Sequence, residues 1–271
     1  MKTHRFVKTF GYILTHPKDV YRLVYSSKIE YPSLYKRLTD DVSKEKSLDM
    51  IGKIQSTDKA SAMIKESHFD KMHDYLRHYE TFFRDIRYSN IKLLEFGCQG
   101  GNSLRMWESY FSKGQIYGVD LNEKCKSFET ERTTVVVGNA VGEDTFKELS
   151  KQGGFDIIID DASHAWGEQR YCLEKYWNLL KSGGYYIVED LECGCYGEYY
   201  NKGYVPEIVD REPFFEYAQK LTGILRWVTL EQANNKYNWQ EYPDEFRNIQ
   251  ESLDSVVYAP CIIIFRKKQD L

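Results

Sequence analysis

The stretch Leu93-Leu94-Glu95-Phe96-Gly97-Cys98-Gln99-Gly100-Gly101-Asn102-Ser103 decides the fold. An apolar run ends on an acidic residue, three glycines follow within five positions, and a helix is expected from Asn102 or Ser103. Strand, glycine turn and helix in that order open a doubly wound sheet, whose ligands bind beyond the carboxyl ends of the strands. Glycines in such a turn let a ligand come close to the backbone.

Outward from that turn, further short apolar runs lie at 115–119, 134–137, 155–159 and 185–188, with helical stretches such as 103–111 and 169–180 between them. Strands that alternate with helices imply parallel pairing and right-handed crossovers. Near the C-terminus, 255–258 and 261–266 flank Ala259-Pro260 and read as an antiparallel hairpin at one sheet edge. The expected fold is α/β: a Rossmann-like doubly wound sheet, mostly parallel, with a C-terminal antiparallel hairpin and an N-terminal helical extension. Residues 1–56 are expected as a basic helical arm and connector, and 57–271 as the main domain. Before the turn, Phe69, Met72, Tyr75, Leu76, Tyr79, Phe82 and Phe83 form one helical stripe that needs a cover.

Composition narrows the function. With 271 residues, 42% hydrophobic and 15% aromatic, the chain carries too much apolar load for a disordered protein. No run approaches the ~18 uncharged apolar residues of a membrane span. A net charge of -4 speaks against a general nucleic-acid binder. The six cysteines are scattered and read as buried, reduced thiols, and no cleavable leader is evident, so the cytoplasm is the expected compartment. Residues 1–28 hold six basic residues against Asp19 alone. They read as an extra helix packed on the domain or exchanged between subunits of a homo-oligomer, with peripheral docking on an anionic inner-membrane surface or a partner as the alternative.

Charge identifies the ligand of the turn. The spacing differs from the dinucleotide fingerprint, and Glu95 would repel a pyrophosphate while favouring an ammonium group. S-adenosylmethionine carries an ammonium and a sulfonium and no phosphate. Asp120, after the second apolar run, offers two oxygens to the ribose hydroxyls, and Asn139, after the third, suits an adenine edge. Asp160, Asp161 and His164 follow the fourth run, and Glu189 and Asp190 follow the fifth. If those strands are neighbours, four carboxylates meet at one sheet edge and call for a cation, Mg²⁺ or another hard divalent ion. His164, beside those carboxylates, is suited to take a proton from an acceptor held there.

Glu95-Phe96-Gly97-x-x-Gly100-Gly101 with Asp120 resembles the first two motifs of class I S-adenosylmethionine-dependent methyltransferases. Thr57-Asp58-Lys59, the segment 159–164 and the segment 183–191 narrow the resemblance to the metal-dependent macrolide-type sugar O-methyltransferases, of the mycinamicin and macrocin kind. That resemblance implies methyl transfer to a sugar hydroxyl of a glycoside or saccharide. It implies Asp161, Glu189 and Asp190 as metal ligands, His164 as base, and Asp161 beside it in the reaction. Strand alternation points Asp160 and Asp161 oppositely; Asp161 is taken as the ligand and Asp160 as the residue nearer the cofactor. The expected cofactor wall is Glu95, Phe96, Gly97, Gly100, Gly101 and Ser103 from the turn. Asp120 and Leu121, Asn139 and Ala140, and Asp160 complete it from later strand ends. Tyr196, Tyr199, Tyr200, Tyr204 and Trp166 are candidates for an acceptor wall. A catechol- or phenol-type O-methyltransferase and a non-catalytic cofactor-binding scaffold are the competing readings.

Overall fold

Runs of Leu, Ile and Val too apolar for a half-exposed strand become the centre of the sheet. A computed structural model describes residues 46–61, 73–191, 193, 208, 212–227, 232–233 and 241–270. The strands are β1 Lys92–Phe96, β2 Gln115–Asp120, β3 Thr133–Val137, β4 Phe155–Asp160, β5 Leu180–Val188, β6 Leu253–Ala259 and β7 Ile262–Lys267. Among the described residues they form one sheet of seven strands in the order β3-β2-β1-β4-β5-β7-β6. The first five are parallel; β7 runs antiparallel to β5, and β6 antiparallel to β7. This is the expected doubly wound sheet with its C-terminal hairpin. The hairpin turn also braces β5, since the Leu191 amide donates to the Cys261 carbonyl at 3.0 Å.

Alternation along the strands divides the core in two. Leu93, Ile157, Ile159, Ile187 and Ile264 face one layer; Leu94, Phe96, Ile158, Tyr186, Val188 and Phe265 face the other. Helices α1 Leu48–Gln55, α2 Leu76–Phe83 and α3 Asn102–Tyr110 cover the first face. On the second lie α4 Glu143–Ser150, α5 Trp166–Tyr176, α6 Phe214–Leu221 and α7 Asp244–Ser252. Among the described residues, no helix is long and apolar enough to cross a membrane.

Residues 46–56, expected as connector, depart from that reading. Ser47 caps α1 by accepting from the Met50 amide at 3.2 Å, and Ser56 ends it in a left-handed conformation at φ 58. Leu48 and Ile51 are buried against α2 and α3, and the compact unit starts at Lys46. Eight residues with two apolar anchors give too brief a period to stand out in a polar stretch. The basic segment 1–28 lies outside the described residues, as do Phe69 and Met72 of the helical stripe.

Candidate active site

Strand register sorts the acidic residues by face. Glu95 lies opposite Ile159, and Asp160 opposite Val188. Glu95, Asp161 and Glu189 are therefore in phase with Ile159 and Ile187 and emerge towards α1, α2 and α3. They converge on Lys59, which follows α1. Its ammonium lies 2.5 Å from Asp161 Oδ2 and 3.5 Å from Glu95 Oε1, and also donates to Glu189 Oε2. Lys59, Glu95 and Glu189 are all buried. Two hydroxyls on successive turns of α2 and its start hold the acidic pair at the β5 tip. Tyr79 donates to Glu189 Oε1 at 2.5 Å and Tyr75 to Asp190 Oδ1 at 2.6 Å. These tyrosines, expected as core, are core and site at once.

The ammonium supplies part of the cation that sequence reasoning assigned wholly to a metal. Burial alone would lower the Lys59 pKa, but Asp161, Glu189 and Glu95 outweigh it and hold the group well above its usual range. One positive charge is still too few. Burial, with Asp161 and Asp190 adding to it, pushes Glu189 well above the usual carboxylate range despite Lys59. Burial likewise raises Asp161, with Asp190 adding to it. One ammonium thus leaves the ionised carboxylates under-compensated, and a further cation would favour them.

The ligand atoms of Asp161, His164 and Asp190 lie within 4.8 Å of one another, and all three side chains are half-buried. The two carboxylates suit a hard divalent ion such as Mg²⁺ or Mn²⁺, with the imidazole beside them. Glu189 stands one residue away, engaged by Lys59 and Tyr79. His164 Nε2 is 3.4 Å from Asp190 Oδ2, while its buried Nδ1 has no hydrogen-bond partner. His164 and Asp190 both take left-handed backbone, at φ 56 and 57, a strained conformation of the kind found at functional sites.

A second cavity opens on the other side of Asp160. Gly97, Asp120, Leu121, Asn139, Ala140 and Asp160 line it, with Ala162, Ser163, Glu168 and Cys172 among the other walls. Asp160 is pushed up to about 8, first by burial and then by Asp161 and Glu168, against the pull of the Ala162 amide. Its Oδ2 has no hydrogen-bond partner. Asp120 Oδ2 accepts from the amides of Cys98 and Gln99 at 2.8 and 3.0 Å, so the carboxylate also holds the turn. Gly97 has φ 89, and a Cβ there would sit 2.0 Å from the Asp161 carbonyl oxygen. The close approach links the turn to the acidic cluster.

Other expected wall residues do not line this cavity. Glu95 is wholly buried beneath the turn, accepting from Ser103 Oγ at 2.6 Å and facing Lys59. Phe96, Gly100 and Gly101 support the turn from outside the lining; Phe96 packs into the second core layer. Trp166 opens α5 and is 7% exposed. Tyr196, Tyr199, Tyr200 and Tyr204 lie outside the described residues. Lys59, singled out only as part of the Thr57-Asp58-Lys59 motif, was given no role in the acidic cluster: only its parity partners, Glu95, Asp161 and Glu189 on one sheet face, signal that a buried cation must meet them.

No family model matches the chain. It is 37% identical over 128 residues to the demethylmacrocin O-methyltransferase of Streptomyces fradiae, covering 44% of this chain and 32% of that protein. Against the mycinamicin VI 2''-O-methyltransferase of Micromonospora griseorubida the identity is 35% over 130 residues, covering 45% and 33%. The chain thus spans about a third of the length of these curated relatives. Among solved structures, the mycinamycin-pathway methyltransferase MycE in complex with Mg and SAH superposes with a TM-score of 0.64 at 21% identity, covering 84% of this chain and 56% of that one. The fold is that of a Rossmann-like methyltransferase, and over about 130 residues the chain resembles the macrolide-type sugar O-methyltransferases.

Proposed function

We propose that this chain transfers a methyl group from S-adenosylmethionine to a hydroxyl of a sugar in a glycoside or saccharide, with a divalent ion at the acidic cluster. The observation that carries the reading is the pairing of two sites across one strand end. Asp160 faces a cavity shared with Asp120 and Asn139, while Asp161 meets Asp190 in a pair of carboxylates that fits a divalent ion beside His164. Solved and curated relatives that act on glycosides, one of them with Mg and SAH, support the same pairing here.

Each residue then has a task. Asp120 and Asn139 would hold the ribose and adenine, and Asp160 would close the donor cavity from below. Asp161 and Asp190 would hold the ion, with Glu189 as the third carboxylate. The ion would supply Lewis-acid polarisation of the acceptor hydroxyl. His164 would receive the hydroxyl proton at Nε2, where the neighbouring Asp190 carboxylate stabilises the imidazolium that results. The methyl sulfonium is already activated, so the protein's main contribution is in-line alignment and proton removal.

The test is incubation with methyl-labelled S-adenosylmethionine, Mg²⁺ and a panel of glycosides and catechols, with and without chelator. Transfer to a glycoside that stops in chelator is expected, with His164→Ala binding the donor but failing to transfer. Turnover of catechols alone would defeat the sugar acceptor, and transfer unchanged by chelator would defeat the metal.

A further inference from the structure

Lys59 joins the two halves of the site, and the reaction steps above give it no task. Among the described residues, the ion pairs of Glu95, Asp161 and Glu189 all go to its ammonium. Its partners lie 102 residues away at the β4 tip and 130 away at the β5 tip, while Glu95 comes from β1 beneath the cofactor turn. An ammonium has three donors and no preferred plane, so it can serve three carboxylates arriving from three strands. Burying that charge is unfavourable without such partners.

Asp161, which Lys59 holds, also belongs to the group of ligand atoms that fits a divalent ion, and Glu189 directly precedes Asp190 of that group. Two cations a few ångströms apart repel, and they compete for one set of ligands. We propose that Lys59 is a positioning residue whose ammonium shares Asp161 with the divalent ion and holds Glu189 beside it, weakening ion binding while fixing the carboxylates against the cofactor turn. The inference rests on the acidic cluster being a divalent-ion site, as proposed above. A resident cation keeps the carboxylates gathered when no ion is bound, and keeps the ion exchangeable when one is. Through Glu95 it also ties the ion's position to the donor's.

The experiment measures Mn²⁺ binding to the whole protein by calorimetry and electron paramagnetic resonance, in the wild type, Lys59→Met and Lys59→Arg. Lys59→Met should bind Mn²⁺ tighter, on the order of tenfold or more, because the repelling charge is gone. Lys59→Arg, which keeps the charge, should stay near the wild type. In Mg²⁺-saturated assays, Lys59→Met should lose about a hundredfold in kcat with little change in the donor KM, as expected of misalignment. A residue that only supports the fold would instead weaken ion binding and stability together. Mn²⁺ affinity that is unchanged or weaker in folded Lys59→Met overturns the proposal, as does an equal shift in Lys59→Arg. A wild type that takes up no Mn²⁺ overturns the ion-site reading itself, and the sharing with it. If Lys59→Met does not fold, Lys59→Met combined with Glu95→Gln removes one buried charge of each sign and is judged by the same ion measurement.

Discussion

Replacing Gly97 with alanine sets the cofactor turn against the tip of β4. The new Cβ would lie 2.0 Å from the Asp161 carbonyl oxygen and 2.8 Å from its carbon, where side chains do not come within 3.0 Å. One peptide must retreat by about 1 Å. Neither is free to do so: the Gly97 amide donates to Val119 at 2.8 Å, and the Asp161–Ala162 peptide is held by the Ala162 amide, which donates to the Asp160 carboxylate. Holding alanine at φ 89 adds roughly 1–3 kcal/mol of strain, and the overpacking another ~1–3 kcal/mol. At about 2–4 °C per kcal/mol for a domain of this size, a middle value of ~4 kcal/mol lowers Tm by roughly 8–16 °C. Far-ultraviolet circular dichroism on heating, paired with urea unfolding, measures the loss. Gly100→Ala is the internal control, because its Cβ would meet only Asn102 Nδ2 at 3.9 Å. That variant should stay within about 0.5 kcal/mol of the wild type. Equal stability of Gly97→Ala and Gly100→Ala would refute the contact between turn and β4 tip.

Three other outcomes follow from the same geometry. Tyr79→Phe leaves a buried Glu189 oxygen without its 2.5 Å donor and should cost about 1–3 kcal/mol in urea unfolding, with the apolar packing of α2 unchanged. Millimolar Mg²⁺ should raise the wild-type Tm, by an amount equivalent to about 2.7 kcal/mol at a hundred times Kd. Asp190→Asn should remove most of that rise, as read by differential scanning calorimetry. Burial pushes the Cys125 thiol up to about 11 and raises Cys98 and Cys172 as well. A raised thiol pKa means less thiolate, so peptide mass spectrometry after iodoacetamide at pH 8 should find all three unmodified in the folded protein, with Cys125 labelling increasing as pH climbs towards 11.

The sheet was legible because buried parallel strands are written as short aliphatic runs, such as Ile157-Ile158-Ile159, separated by helix-length segments. That Asp160 and Asp161 point to opposite faces was legible as alternation, but alternation alone does not tell which of them faces which site. Glu95 was harder. Its charge suggested a ligand for the donor's ammonium, yet the structure gives it an internal one, because a residue in phase with Leu93 points beneath α3. Lys59 and Tyr79 escaped for the same reason: their partners are more than a hundred residues distant, and nothing local in Thr57-Asp58-Lys59 distinguishes a buried ammonium from an exposed one. Helix α1 went unread because its burial depends on α2 and α3, which supply the surface it covers.

Placing β7 between β5 and β6 has a consequence for the order of assembly during synthesis. The outer rim of β5, with Tyr186, Ile187 and Val188, stays unpaired until residues 262–267 have left the ribosome. At typical elongation speeds that interval lasts several seconds, during which an apolar strand edge is open to association with other chains. The tip bearing Glu189 and Asp190 also waits for the Cys261 carbonyl that steadies Leu191. Competence therefore waits for the β6–β7 hairpin, and nascent chains stalled before residue 262 should aggregate through that open rim.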